Sequence, residues 1–275
     1  MKMRSLSLLP LTAAALAVLP IGASAQSGLP DVTRLGCPAL PSTVTQPFAF
    51  AIVGSSCVDV SQYISRTEIP GIFSLATPQL AFGAGTVSLT ATFKSDPFIT
   101  FGATTTNLTA GPTTYAFLFG TPVVPGFYSS ATSNGTVGVT NGVGGTATVA
   151  NSDVYPAYIS GYGTNGAFAT NLGVDVGTEP CVASGPPATV TTSCAQGPAS
   201  STFAPTFYDN LEALVTYTQS DLGSVVSFTG GVTLEAGSQS VVPEPASMAL
   251  LATGLSAIGG GGLVRRRRRG AASEG

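Results

Sequence analysis

The sequence predicts an all-β fold, an antiparallel β-sandwich-like ectodomain, on three observations. Apolar and polar residues alternate with period two in many short runs, as in Thr86–Phe93, where Val87, Leu89, Ala91 and Phe93 fall on one side. Gly, Asn and Pro separate these runs, as expected for turns. Between residues 26 and 242 no long stretch has the pattern of an amphipathic helix. Many short strands with such punctuation are typical of sandwiches.

The predicted strands are short runs rich in β-branched and aromatic residues. They cover Phe48–Val53, Thr86–Phe93, Ile99–Leu108, Thr113–Phe119, Ala147–Val149, Val154–Tyr158, Ala213–Tyr217 and Val225–Leu234. Turns are predicted at Asn134-Gly135, Asn141-Gly142 and Asn165-Gly166, because Asn-Gly readily adopts the left-handed backbone of tight hairpins. The Gly-rich region Ser133–Gly173 is predicted to form hairpins or a flexible insertion.

The composition excludes several functions. The chain of 275 residues contains no His, which removes His-based nucleophile systems, His-ligated zinc and His general bases. Between residues 26 and 242 three basic residues stand against eleven acidic ones. Nucleic-acid binding needs clustered Lys and Arg, so no nucleic-acid partner is predicted. We expect no enzyme activity, no cofactor and no metal site.

Residues 1–25 have the order of a Sec signal peptide. A basic start is followed by the apolar run Leu6–Leu19 and by small residues at Ala23 and Ala25, which predicts cleavage before Gln26. The Sec translocon is therefore a predicted partner during export. A retained membrane anchor is the alternative, but the apolar run is short and contains proline.

Four cysteines lie in the part expected to be exported: Cys37, Cys57, Cys181 and Cys194. An even number of cysteines in an oxidising compartment predicts disulfides. The local pairing, Cys37–Cys57 with Cys181–Cys194, is the simplest, and pairing between the two loops stays open. A four-thiolate metal site is disfavoured, since no Cys-x-x-Cys pair is present.

Two patterns suggest chemistry that their context does not support. The segment Gly161–Gly166 matches Gly-x-Gly-x-x-Gly, but no helix pattern follows, so we interpret it as a Gly-rich hairpin. The acids Asp175, Glu179 and Asp209 would need to converge for a glycosidase pair or a calcium site. Their spacing matches no calcium-binding loop, and we expect solubilising surface charges.

A third pattern is the group of aromatic residues that includes Tyr155, Tyr158, Tyr162, Phe207 and Tyr208. Flat aromatic rings can stack on sugars, so a carbohydrate platform is one interpretation. The chain has no Trp, and packing in the core and in hairpins is the favoured one.

The C-terminal part has three segments in a fixed order. Pro243, Glu244 and Pro245 would end any helix and present an extended backbone. The apolar segment Met248–Val264 is predicted to form a single transmembrane helix of about 25 Å, at the thin end of what crosses a hydrocarbon core. A basic cluster follows, formed by Arg265, Arg266, Arg267, Arg268 and Arg269. The positive-inside rule keeps this cluster and the tail 270–275 in the cytoplasm.

In these three segments the chain resembles the PEP-CTERM proteins of Gram-negative bacteria. The resemblance implies a sorting signal over residues 243–269 and exosortase as the partner that cuts near the motif. It implies an inner-membrane precursor, later found at the cell surface or outside the cell, and an association with exopolysaccharide and biofilm matrix. A simple membrane anchor with a coincidental motif is the alternative.

The chain is thus predicted to comprise a signal peptide (1–25), an exported β-rich domain (26–242), a sorting signal (243–269) and a cytoplasmic tail (270–275). We expect the domain to have a structural or adhesive role in an exopolysaccharide or biofilm context. The first alternative is a carbohydrate-binding adhesion module. A carboxylate-based glycan hydrolase or lyase is the least favoured.

Overall fold

The computed structural model of the protein describes residues 37, 44–152, 155, 157–166 and 168–237, which form fourteen β-strands. The strands are β1 (Phe48–Val53), β2 (Ser56–Asp59), β3 (Ile64–Arg66), β4 (Ile72–Ala76), β5 (Leu80–Phe82), β6 (Gly85–Lys94), β7 (Phe98–Asn107), β8 (Thr113–Thr140), β9 (Thr146–Ala150), β10 (Ile159–Asn165), β11 (Phe168–Asn171), β12 (Cys181–Ser184), β13 (Thr191–Gln219) and β14 (Val225–Ala236). A 3₁₀ turn covers Ser61–Tyr63. The all-β prediction is confirmed.

All strands belong to one antiparallel sheet. Along its main path the order is β11, β10, β13, β8, β14, β7, β6, β4 and β3. Beside this path, β1 pairs with β8 and β2, β5 pairs with β6, and β9 pairs with β12 and β13. The two longest strands, β8 and β13, are neighbours at the centre of the sheet. The other strands lie on either side of this pair.

The central pair belongs to two layers of a sandwich. The start of β8 pairs with β1 and with the end of β13, which in turn pairs with β10. The end of β8 pairs with the start of β13 and with β14, which continues to β7 and β6. We call these groups the first layer and the second layer. Along the pair the register of β8 and β13 shifts three times, and bulges of this kind bend strands.

The main core lies between the two layers and is rich in aromatic rings. Phe119 of the first layer stacks on Phe101 of the second at a centroid distance of 5.3 Å. Tyr217 of the first layer stacks on Phe228 of the second at 5.9 Å. All four residues are buried. Stacked rings of this kind add specific geometry to the hydrophobic burial that holds the layers together.

A second, smaller core covers the outer side of the first layer. Its buried members are Cys37, Phe48, Phe50, Ile52, Ala116, Leu118, Tyr162 and Leu214. Cys57, Val44 and Tyr155 pack against it. The first layer is therefore apolar on both sides, whereas the second layer has one buried and one polar side.

Several strand and turn predictions are confirmed, and two are wrong. Phe48–Val53 is β1, and the Gly-x-Gly-x-x-Gly segment lies in the β10–β11 hairpin, where Gly166 has φ +57°. The turn predicted at Asn134-Gly135 is wrong, because these residues pair with β14 within β8. Pairing on both sides of a central strand outweighs the local turn preference.

The prediction of a strand at Val154–Tyr158 is also wrong for those of its residues that the structure describes. Tyr155, Ala157 and Tyr158 lie outside strands. Instead of pairing in a strand, Tyr158 fills the core, and its hydroxyl donates hydrogen bonds to the backbone oxygens of Val149 at 2.8 Å and Glu179 at 2.9 Å. These two bonds satisfy a buried polar atom and hold the segment in an irregular conformation.

Among the described residues no helix is long and apolar enough to cross a membrane. The predicted signal peptide (1–25) and the predicted transmembrane helix within 243–269 lie outside the described residues.

Candidate functional site

The residues predicted to direct export lie outside the described part of the chain. They are Ala23, Ala25, Gln26, Pro243, Glu244, Pro245, Arg265, Arg266, Arg267, Arg268 and Arg269. The last strand, β14, ends at Ala236, seven positions before the first proline of the motif. The described body therefore precedes the motif along the chain.

The four cysteines form two disulfides. Cys37 is bonded to Cys57 of β2, with 5.2 Å between the Cα atoms. Cys181 of β12 is bonded to Cys194 of β13, with 5.9 Å between the Cα atoms. This is the local pairing, and it confirms that the cysteines serve as covalent links between neighbouring segments.

The three acids considered for catalysis or calcium binding have separate local partners. The Asp175 carboxylate accepts a hydrogen bond from the Asn171 side chain at 3.3 Å. The Asp209 carboxylate accepts from the Gly166 backbone N–H at 3.3 Å and from the Asn210 amide at 2.7 Å. Glu179 contributes its backbone oxygen to Tyr158. In the part of the chain that the structure describes, no three His, Cys, Asp or Glu residues form a group able to hold a metal ion.

The aromatic residues considered as a sugar platform are mostly buried. Tyr158, Tyr162 and Tyr208 have 6% or less of their surface exposed. Tyr155 packs against the second core, and the Phe207 ring lies 5.7 Å from that of Phe127. Packing rather than ligand stacking is thus confirmed for the three buried tyrosines.

Sequence reasoning missed the buried acid Glu212. It lies on β13 with 1% of its surface exposed, and its Oε2 atom has no hydrogen-bond partner. Burial raises its pKa to about 8, since removal from water disfavours the charged form. Alternation alone places Glu212 on the outer side of β13, opposite Leu211 and Ala213, which is where an acid would normally contact water. The second core, which the sequence did not predict, covers that side.

The outer side of the second layer is lined with hydroxyl groups. We define the hydroxyl face as the outward Ser and Thr side chains of β4, β6, β7, β14 and the end of β8. They are Ser74, Thr86, Ser88, Thr90, Thr92, Thr100, Thr104, Thr106, Thr132, Thr136, Thr140, Ser227, Thr229 and Thr233. The alternation in β6 predicted one strand of this face, but only the strand order places five such strands side by side.

The pairing register arranges these hydroxyl groups in rows across the strands. One row contains Ser88 of β6, Thr104 of β7 and Ser227 of β14. Neighbours in a row are about 4.8 Å apart, and successive rows are separated by about 6.8 Å along each strand. The face is thus a regular two-dimensional array of groups that both donate and accept hydrogen bonds.

A depression lies near the middle of the hydroxyl face, at Gly102. It has a volume of about 360 Å³ and is lined by Ser74, Thr90, Thr92, Thr100, Gly102 and Thr229, together with backbone of the same strands. A Cβ atom on Gly102 would lie 2.8 Å from Thr90 Oγ1, so a larger residue there would displace that hydroxyl. The floor of the depression therefore depends on glycine.

The chain combines an all-β, disulfide-linked body with a C-terminal sorting motif, because residues 241–269 match the family model of the PEP-CTERM protein-sorting motif. The match includes the Pro-Glu-Pro sequence, the apolar segment and the five arginines. The chain thus carries the PEP-CTERM protein-sorting motif that the resemblance implied. The motif supports sorting by exosortase to the cell surface through a membrane-anchored precursor.

No curated protein matches the chain. A structure of the Gt strain of infectious bursal disease virus is similar over 80% of this chain and 69% of the viral chain, at 10% sequence identity. The TM-score of this match is 0.13.

Proposed function

We propose that the protein is an exported structural or adhesive component of the cell surface or extracellular matrix, with no catalytic activity of its own. The observation that carries this proposal is the PEP-CTERM motif at residues 241–269. Along the chain, the motif follows a described body that consists of a single β-sheet. The two disulfides support it, because disulfides persist in oxidising compartments outside the cytoplasm.

The proposed route begins at the Sec translocon and removes residues 1–25 before Gln26. The precursor is then held in the inner membrane of a Gram-negative cell by the apolar segment Met248–Val264, with the arginine cluster in the cytoplasm. Exosortase cuts near Pro243, Glu244 and Pro245 and releases the β-rich body. An exopolysaccharide or biofilm matrix is the proposed destination.

The non-catalytic part of the proposal is supported by the arrangement of the acidic side chains. The carboxylates of Asp175 and Asp209 are held by separate neighbours, and Glu212 is enclosed by protein. A glycan hydrolase or lyase needs two carboxyl groups facing a substrate-sized opening. We therefore expect no release of reducing sugar when the protein is incubated with matrix polysaccharide.

The adhesive role is tested by comparing cells that carry the chain with cells that lack it. Cells lacking the chain should retain less matrix polysaccharide and adhere less to a solid surface. A variant with Pro243→Ala, Glu244→Ala and Pro245→Ala is the control, because it keeps the described body and changes only the motif. This variant should remain in the membrane and fail to restore adhesion. Unchanged adhesion without the chain would contradict the proposal.

A further inference from the structure

The hydroxyl face is uncharged over its central rows. On the strand segments that form it, the charged residues are Lys94 at the end of β6 and Glu235 near the end of β14. Both lie toward the same edge, because Lys94 pairs with Phe98, which pairs with Thr233, two positions from Glu235. A strongly charged polymer would therefore find no counter-charges across most of this surface.

The hydroxyl face is also free of exposed large apolar side chains within the described residues. Those that are exposed lie elsewhere: Val58, Ile69, Leu108, Val124, Phe127, Val143, Phe168, Val182 and Leu222. Stable protein interfaces usually bury an apolar centre. A second copy of the chain, or another protein, would thus gain little by covering this face.

The hydroxyl groups in the centre are available to a partner. Thr86 accepts a hydrogen bond from Gln79, and the Thr140 and Thr191 hydroxyl groups share a hydrogen bond at the border of the face. By contrast, the side chains of Thr90, Thr100 and Thr229 make no hydrogen bond within the described part of the chain. Each can both donate and accept, which suits a partner that presents hydroxyl groups of its own.

We propose that the hydroxyl face binds a neutral polysaccharide, with the polymer passing through the depression at Gly102. A neutral glycan offers hydroxyl groups repeatedly along its length, as the face does across its strands, and it needs no counter-charge. Each hydrogen bond contributes little by itself, so retention depends on many of them at once. The inference rests on the proposed adhesive function and names the surface and ligand class that perform it.

The test uses the full chain displayed on intact cells, with the surface amount measured by antibody labelling. The face variant combines Thr90→Val, Thr100→Val and Thr229→Val, which removes three hydroxyl groups and keeps shape and strand preference. The control variant combines Thr114→Val, Thr146→Val and Thr218→Val, which lie outside the face at the start of β8, on β9 and near the end of β13. The probes are fluorescent dextran, a soluble neutral β-glucan, and anionic alginate.

Wild-type cells should retain at least one of the neutral glucans and not alginate. At equal surface amounts the face variant should retain at least about tenfold less, and the control variant should stay within about twofold of wild type. Equal retention by the face variant and wild type, no retention of either neutral glucan, or equal retention of alginate would overturn the inference.

Two further outcomes separate this inference from others. If the purified full chain sediments as a dimer and the face variant as a monomer, the face is an interface between copies and the inference fails. Face-variant cells that adhere as well as wild type would contradict the inference while leaving the proposed function intact. Wild-type cells that adhere no better than cells lacking the chain would contradict the proposed function itself.

Discussion

Glu212 couples the stability of the body to pH. Its folded pKa of about 8 lies above its ordinary value of 4.5, so the folded protein holds a proton that the unfolded chain releases between these values. The stability that this proton contributes is complete below about pH 4.5 and is lost as the pH rises through about 8. Above that range the penalty for burying the carboxylate is constant.

The variant Glu212→Gln should therefore be more stable than wild type at pH 7, by about 2–3 kcal/mol, because its side chain is neutral at every pH. The difference should shrink toward pH 4.5. Urea denaturation of both proteins from pH 4.5 to 9 measures this. Glu235→Gln on β14 is the control, since Glu235 is exposed. Parallel stability curves for wild type and Glu212→Gln would contradict the assignment.

Asn141 is a second residue whose role depends on distant contacts. It is buried, and its amide nitrogen donates to the backbone oxygens of Gly145, Gly185 and Pro186. Its amide oxygen accepts from the backbone N–H groups of residues 189 and 190. The Asn-Gly pattern predicted a turn here, and a turn follows β8. The hydrogen bonds between Asn141 and a loop more than forty positions later could not be predicted from the local sequence pattern.

Asn141→Ala should lower the free energy of unfolding by about 3 kcal/mol, because it removes five hydrogen bonds to buried or partly buried backbone groups, three of which have no other partner in the described part of the chain. Asn134→Ala is the matched control. Asn134 is exposed on β8, the strand that ends directly before Asn141, so the loss of the Asn134 side chain should cost less than about 0.5 kcal/mol. Chemical denaturation measures both values, and equal effects of the two changes would contradict the role of Asn141.

At the scale of elements, the sequence located the strands of the second layer closely but underestimated the length of the central strand β8. The runs assigned to β6, β7 and β14 agree with the structure within two residues at each end. Thr113–Phe119 was predicted as a short strand, whereas β8 continues to Thr140. The glycines and prolines of β8 are typical of turns when the local sequence is considered alone. The strand nevertheless continues past them, because it pairs with β13.

Gly120 shows why a glycine is needed inside β8. Its pairing partners are Phe48 of β1 and Glu212 of β13. A Cβ atom at this position would overlap the Phe48 ring. The missing side chain therefore makes room for an aromatic ring of the second core, and the sequence gives no local sign of this requirement.

Gly120→Ala should destabilise the protein by about 1–3 kcal/mol, because the Phe48 ring must leave its position in a packed core. Gly138→Ala in the same strand is the control. There the nearest atom to an added Cβ lies at 3.7 Å, an ordinary contact, so little change is expected. Thermal denaturation compares the two variants, and a stable Gly120→Ala protein would show that the second core tolerates repacking.

At the scale of the whole molecule, the proposed export route removes most of the positive charge of the chain. Of ten basic residues in the chain, seven lie in the segments 1–25 and 243–269, which the proposed route removes. The remaining body is acidic, with a hydroxyl face whose central rows carry no charge. Composition alone predicted no nucleic-acid partner. The hydroxyl face could not be predicted in full, since it depends on the order in which strands from distant parts of the sequence pair.

The mass of the mature protein tests the central claim most directly. In cells with exosortase, the protein should begin at Gln26, lack the apolar segment and the arginine cluster, and be found at the surface or in the medium. In cells without exosortase, the same protein should keep the whole tail and stay in the inner membrane. An identical mass in both kinds of cell, with the tail attached and the protein in the membrane, would contradict exosortase processing and favour a simple anchor.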